Sequence, residues 1–228
     1  MKFLISQSYN NDKDELDKAY GNYFSKFNIE LIPITNHKDI KYSNITEFIT
    51  NQSLFDGVIL SGSGDIKLTN YKLPNDVKIN LQNHKSSKFS EERDKIESKL
   101  INLALTHDKL LIGICHGMQK INEYFHGNIQ PYYHHIKETF SKQGIEHEIA
   151  GTDELIGLKT KYSVNQYHDH CILPTDLAEK LKCFAIDTRF KTVEGFYNQT
   201  LNIVGIQWHP ERKISDDGIT TKILNKFI

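Results

Sequence analysis

Residues 110–119 read Leu-Leu-Ile-Gly-Ile-Cys-His-Gly-Met-Gln, and they constrain the fold more than any other segment. The continuous apolar run Leu110–Ile114 suits a parallel strand buried on both faces. It ends at Cys115, and a helix is expected at once, from about Met118 to Phe125, with Gly127 placed to stop it. A side chain on so sharp a strand-to-helix turn sits in a strained backbone conformation. Its neighbours two residues before and two after come close together and must be small. Gly113 and Gly117 occupy both places. The turn sets the Cys115 sulfur at a helix N-terminus, where the dipole favours thiolate. The backbone N–H of His116 points into the same space and is a natural oxyanion donor. The plainer alternative is a small buried cysteine ending a strand. The strand before it and the helix after it favour the nucleophile.

The rest of the chain alternates apolar and amphipathic blocks. Strands are expected at Lys2–Ser6, Asn28–Ile34 and Asp56–Leu60. A helix is expected over Asp12–Phe27, with Leu16, Ala19, Tyr20, Tyr23, Phe24 and Phe27 on one face. Asn11 or Asp12 would cap it, and Asp14 and Glu15 would lie in its first turn. Another helix fits Glu91–Thr106, with Ser90 as its cap and Ile96, Leu100, Leu103 and Ala104 inward. Further strand candidates are Ile145–Ile149, Tyr162–Val164, Lys182–Ile186, Thr192–Phe196 and Leu201–Gln207, and a last helix covers Gly218 to Phe227. This β-α-β order implies an α/β fold, a mainly parallel sheet with helices on both faces. No repeat or linker divides the chain, so residues 1–228 read as a single domain, a size that buries a core without staples.

Composition removes whole classes of function. Lys plus Arg (28) nearly cancels Asp plus Glu (29), so the net charge is −1 and no basic field for nucleic acid or a membrane surface exists. The apolar runs are far shorter than a membrane span. Met1-Lys2-Phe3-Leu4-Ile5-Ser6-Gln7 turns polar at once, so no signal-peptide core is expected. The three cysteines, Cys115, Cys171 and Cys183, form no CxxC pair, which fits a reducing, cytoplasmic setting.

A thiol nucleophile needs an imidazole, and the imidazole needs an orienting group. Among eleven histidines, His209 ends the apolar run Ile203-Val204-Gly205-Ile206-Gln207-Trp208. It would therefore emerge at the same carboxyl edge of the sheet as Cys115, where ligands gather in open α/β sheets. Pro210 breaks the strand, and Glu211 lies on the same side of an extended segment as His209. The order Cys…His…Glu disfavours an α/β-hydrolase, in which the acid precedes the histidine.

These residues carry a resemblance. The elbow Gly113-Ile114-Cys115-His116-Gly117-Met118-Gln119 together with Gln207-Trp208-His209-Pro210-Glu211 resembles the class I glutamine amidotransferase superfamily. Asp56-Gly57-Val58-Ile59-Leu60-Ser61-Gly62-Ser63-Gly64-Asp65 looks like that family's oxyanion segment. Arg93-Asp94, Val164-Asn165-Gln166-Tyr167-His168 and Val193-Glu194-Gly195 are similar to blocks of its γ-glutamyl hydrolase branch. The resemblance covers about residues 55 to 212. It implies a flavodoxin-like three-layer fold with a smaller antiparallel excursion in the second half. It implies Cys115 as nucleophile, His209 as general base and then acid, and Glu211 as its orienter. Gly62 or Ser63 with His116 would form the oxyanion hole. Gln119, Asn165, Tyr167, His168 and Glu194 would line the glutamyl pocket. The charges of a glutamyl substrate need counter-charges: Glu194 would face its ammonium, and Arg93 or a backbone nest its carboxylate. The sequence departs from the family at several points. Ser61 and Ser63 replace Pro and Gly, and Ser63 fits if its φ is negative. His116 replaces an Arg, and Asp169-His170 replaces His-Gln.

The activity implied is hydrolysis of the γ-glutamyl amide of a small metabolite through a γ-glutamyl thioester, with no cofactor. The leaving group would be an amine or a nucleotide-linked phosphoramidate. In the latter case the products would be glutamate and cytidine diphosphoramidate, in capsule synthesis. The competing reading is a glutaminase subunit that feeds ammonia to a separate synthetase. His134-His135 and His168-Asp169-His170 do not have metal-ligand spacing. Ser61-Gly62-Ser63-Gly64 lacks the phosphate-loop pattern. Residues 64 to about 90 read as a long loop. Its lysines Lys67, Lys72, Lys78, Lys85 and Lys88 are candidate contacts for a phosphorylated leaving group.

Overall fold

A computed structural model describes residues 1–64, 89–131, 144–152, 161–213 and 218–228. The strands are β1 (Lys2–Ser6), β2 (Ser8–Asn10), β3 (Lys13–Glu15), β4 (Glu30–Ile34), β5 (Gly57–Leu60), β6 (Leu110–Ile114), β7 (Gln130–Pro131), β8 (Ile145–Gly151), β9 (Lys161–Gln166), β10 (His170–Cys171), β11 (Lys182–Asp187), β12 (Val193–Asn198) and β13 (Ile203–Ile206). The α-helices among these residues are α1 (Lys18–Phe24), α2 (Ile45–Thr50), α3 (Glu91–Thr106), α4 (His116–Tyr124) and α5 (Gly218–Leu224).

Nine strands form one sheet in the order β4-β1-β5-β6-β13-β12-β11-β8-β9. The first five are mutually parallel. The last four add on antiparallel. The apolar runs explain the parallel half. Every residue of β5, β6 and β13 is buried, because helices cover both faces. Alternate residues of a strand point to opposite faces, so the core divides in two. Phe3, Ile5, Ile59, Ile112, Ile114, Val204 and Ile206 pack with Tyr20, Tyr23 and Phe24 of α1 and Ile219 and Ile223 of α5. Leu4, Val58, Leu60, Leu111 and Ile203 pack with Ile96, Leu100 and Ile101 of α3 and Met118 and Ile121 of α4. Trp208, fully buried, ties α5 down through its indole N–H to the Thr220 hydroxyl at 2.8 Å.

The main correction to the sequence reading lies at residues 12–27. The helix starts at Lys18, not Asp12, and Asp17 caps it by accepting the Ala19 N–H at 2.9 Å. Asn11 and Asp12 cap nothing. Both have positive φ (48° and 59°) and form the two-residue turn of a hairpin that pairs Asn10 with Lys13. Such a turn needs left-handed residues at both central positions, which Asn and Asp tolerate. Asp14 and Glu15 therefore lie in β3, outside the helix. Helix α4 starts at His116, two residues earlier than expected, and α5 ends at Leu224. Ser90 does cap α3, accepting the Arg93 N–H at 3.1 Å. The lysines of the 64–90 loop, His134 and His135 lie outside the described residues. No helix among the described residues is long and apolar enough to cross a membrane.

Candidate active site

Four adjacent parallel strands deliver the site at their carboxyl ends. Ser6 closes β1, the turn Ser61-Gly62-Ser63 follows β5, Cys115 follows β6, and His209 lies just past β13. Cys115 has φ 51° and ψ −106°, a region that costs an L-residue about 1–3 kcal/mol and persists only where the surroundings enforce it. The glycines on either side are forced by contact. A Cβ on Gly113 would collide with the Met118 backbone nitrogen, and one on Gly117 with the Leu60 carbonyl.

His209 is 2 % exposed. Its Nδ1 lies 2.6 Å from Glu211 Oε1, and the Cys115 side chain lies near enough to the ring to act on its protonation. Burial alone would push the imidazole pKa down. Interaction with Cys115 and with the Glu211 carboxylate outweighs it and raises the pKa to about 9. The sulfur, the imidazole and the carboxylate thus form one connected line out of solvent.

Two residues fix this line in ways the sequence reading did not assign. The Asn165 amide clasps the His209 backbone, accepting its N–H at 2.9 Å and donating to its carbonyl at 2.8 Å. Asn165 is thus a support of the imidazole, and its amide is not free for a glutamyl group. Tyr20, expected only as core, places its hydroxyl to accept the Gly62 N–H at 2.8 Å. Burial, then the negative charges of Glu211 and Cys115, push its phenol pKa well above its ordinary value. The available signal was general: a buried tyrosine hydroxyl needs a polar partner.

The Gly62 amide is thus already engaged, which leaves Ser63 and His116 as the free candidates for the oxyanion hole. Ser63 adopts φ 76°, against the negative φ on which its fit was premised. Arg93, 3 % exposed, is not placed to meet a substrate carboxylate. Its guanidinium faces the turn instead. Nη2 donates to the Ser61 carbonyl at 2.8 Å and Nη1 to that of Ser63, while Nε holds Glu97 Oε1 at 2.8 Å. His116 Nε2 lies 2.9 Å from Glu97 Oε2. Burial pushes the Glu97 carboxyl up, but Arg93, His116 and the Ser6 hydroxyl hold its pKa at about 2. The i,i+4 spacing of Arg93 and Glu97 was the sequence signal for this pair.

The remaining expected pocket residues are scattered. Gln119 is buried and donates to Gln207 Oε1 at 3.2 Å and to the His170 carbonyl at 3.3 Å. The Tyr167 ring meets His209 edge-on at 5.6 Å, with the Arg212 guanidinium 4.2 Å above it. His168 is buried, with Nδ1 2.8 Å from the His170 carbonyl. Glu194 has no exposure to solvent and faces one of the chain's own side chains, since His147 Nε2 lies 3.3 Å from its carboxylate. His147, which also approaches Asp187 at 3.6 Å, was not singled out in the sequence. Among the described residues no group of three His, Cys, Asp or Glu is arranged to hold a metal ion. A cavity of about 510 Å³ opens beside the turn, lined in part by Asp14, Asp17, Tyr20, Gly62, Ser63 and Arg212.

The profile of the Peptidase C26 family matches residues 31–211. The chain is 29 % identical over 217 residues to a γ-glutamyl-CDP-amidate hydrolase of Campylobacter jejuni, spanning 93 % of this chain and 88 % of that one. It is 27 % identical over 201 residues to YvdE, a glutamine amidotransferase-like protein of Lactococcus lactis, spanning 82 % of this chain and 78 % of that one. Among solved structures, a glutamine amidotransferase of Thermotoga maritima superposes with a TM-score of 0.58. That match covers 99 % of this chain and 81 % of the other at 14 % identity, a likeness of fold alone.

Proposed function

The chain belongs to the Peptidase C26 family, and from that premise we propose that it is a cysteine-dependent hydrolase of a γ-glutamyl amide in a small metabolite. The observation that carries this reading is the buried line from Cys115 through His209 to Glu211 at the carboxyl edge of the parallel strands.

In this reading the Cys115 sulfur attacks the γ-carbonyl carbon and the carbonyl electrons move onto oxygen. Backbone N–H groups of Ser63 and His116 receive that oxyanion, each such donor being worth about 3 kcal/mol in comparable sites. The C–N bond then breaks, and His209 gives its proton to the departing nitrogen. A γ-glutamyl thioester remains on Cys115. Water, deprotonated by His209, attacks it and releases glutamate and the free thiol. Glu211 keeps the imidazole oriented through both halves of the cycle. The similarity to the Campylobacter protein supports γ-glutamyl-CDP-amidate as the substrate, with cytidine diphosphoramidate as the second product.

The test is glutamate release by the purified protein alone, from glutamine, γ-glutamyl-γ-aminobutyrate, γ-glutamyl peptides and γ-glutamyl-CDP-amidate. Fast release from the CDP-amidate, slow release from glutamine and none from Cys115→Ala supports the reading. Fast release from another adduct corrects the leaving group. No release from any of them overturns it in favour of a glutaminase that works only with a synthetase partner.

A further inference from the structure

We propose that Arg93 and Glu97 are positioning residues that set both free donors of the oxyanion hole, an inference that rests on the hydrolase reading above. Arg93 gathers carbonyls from three consecutive residues: Ser61 at 2.8 Å, Gly62 at 3.4 Å, and Ser63. In a trans peptide the C=O and N–H point in opposite directions. Turning these carbonyls toward Arg93 therefore turns the following N–H groups away from it.

The structure identifies what lies on that other side. The N–H opposite the Ser61 carbonyl is that of Gly62, which reaches the Tyr20 hydroxyl at 2.8 Å. A Cβ on Gly62 would strike the His209 ring, so this side of the turn faces the imidazole. The next peptide follows the same rule. With the Gly62 carbonyl held by Arg93, the Ser63 N–H is aimed to the imidazole side. Ser63 needs this restraint, because at φ 76° it occupies a region that disfavours an L-residue.

Glu97 joins this turn to the other donor. Its Oε1 accepts from Arg93 Nε at 2.8 Å and from the Ser6 hydroxyl at 2.9 Å, and Ser6 in turn accepts the Ser61 N–H at 3.0 Å. Its Oε2 pairs with the His116 ring at 2.9 Å, and the backbone N–H of His116 is the second donor. One fully buried carboxylate thus fixes the loop after β5 relative to the first residue of α4. Neither Arg93 nor Glu97 touches substrate in this arrangement.

The test compares Arg93→Lys, Arg93→Ala and Glu97→Gln with the parent protein. Three readouts are taken: kcat and KM for the γ-glutamyl substrate, the alkylation rate of Cys115 by iodoacetamide, and hydrogen exchange of residues 61–63 without substrate. Lysine keeps the charge but cannot span three carbonyls. The expected result for Arg93→Lys is kcat lowered about 10–100-fold, with KM and alkylation changed less than about twofold, and faster exchange in the turn. Guanidinium ion added to Arg93→Ala restores part of kcat, and it restores nothing in Cys115→Ala. Glu97→Gln shows the same pattern and decides the matter if the arginine variants do not fold. Unchanged kcat in Arg93→Lys, or kcat and alkylation falling together, overturns the proposal. A parent protein that releases no glutamate overturns the hydrolase reading instead. Exchange then still judges the clamp, which unchanged protection in Arg93→Lys overturns.

Discussion

Cys115, the Ser61–Ser63 turn and His209 all leave the carboxyl ends of parallel strands, whereas Asn165, Tyr167, His168 and Glu194 come from the antiparallel half and its loops. The two regions bury charge differently. In the parallel half both Glu97 oxygens are hydrogen-bonded, to Arg93, Ser6 and His116. In the antiparallel half His147 and Glu194 meet at 3.3 Å without hydrogen-bond geometry, and Glu194 Oε2 has no hydrogen-bond partner among the described residues. A fully satisfied buried network rigidifies what it touches, while a partly satisfied one gives up stability. Glu97 is held on both oxygens and so anchors the turn after β5, although Glu211 Oε2 and His116 Nδ1 in the same half have no hydrogen-bond partner among the described residues. The antiparallel half supports the parallel half from behind, through Asn165.

This contrast can be broken most directly at the nucleophile. Cys115→Ala is expected to lower kcat by about 10⁴-fold or more, as removal of one member of a catalytic unit does. Steady-state glutamate release checks it. Glu194→Gln with a loss of that size would erase the distinction between the halves. The next largest effect belongs to Asn165→Ala, which frees the His209 backbone. A displaced catalytic group costs about 10²-fold, so kcat is expected to fall by about 10–100-fold with little change in KM. An unchanged kcat would show that Glu211 alone orients the imidazole.

A smaller, graded effect follows from pH. The folded His209 pKa is raised to about 9, so the imidazolium that protonates the leaving nitrogen persists up to that pH. The sign is that of a raised base: the charged form and its stabilisation are complete below the ordinary value of 6.5 and lost as pH rises through about 9. The pH profile of kcat/KM should therefore hold to about 9 and then fall about tenfold per unit. A limb near 6.5 would contradict the coupling to Cys115 and Glu211.

The smallest expected effect is on stability in the antiparallel half. Burial disfavours both charges, but their attraction raises the pKa of His147 above 6.5 and lowers that of Glu194 below 4.5. The pair's contribution is complete between those ordinary values. It is lost as pH falls through the lowered carboxyl and as pH rises through the raised imidazole. Glu194→Gln should remove this pH dependence of Tm and cost about 1 kcal/mol, or roughly 2–4 °C, at pH 6. Thermal denaturation across pH sharpens the contrast by showing whether this cluster is structural.

The legible parts of the sequence were those where one physical requirement excludes alternatives. Leu110–Ile114 and Ile203–Ile206 read as strands because burial on both faces demands uninterrupted apolar runs. The elbow was legible because Gly113 and Gly117 are forced by backbone contact. The start of α1 was not, because Asn11, Asp12 and Asp17 are all acceptable caps and only the hairpin chose among them. Arg93 stood out through the Arg93-Asp94 block. Its role did not, since a guanidinium fork fits a substrate carboxylate as well as a row of carbonyls. Asn165 shares that ambiguity, because a primary amide suits a glutamyl group or a peptide unit equally. The pairing of His147 with Glu194 is set by sheet packing between strands distant in sequence, and no local pattern reports it.

The most direct test of the account is the mass of the intact protein quenched in acid during turnover of the γ-glutamyl substrate. The expected result is an added mass of one γ-glutamyl group, mapped by peptide analysis to Cys115. It should decay as glutamate appears and be absent from Cys115→Ala. Glutamate release at full rate with no adduct on Cys115, or with undiminished release from Cys115→Ala, would contradict it.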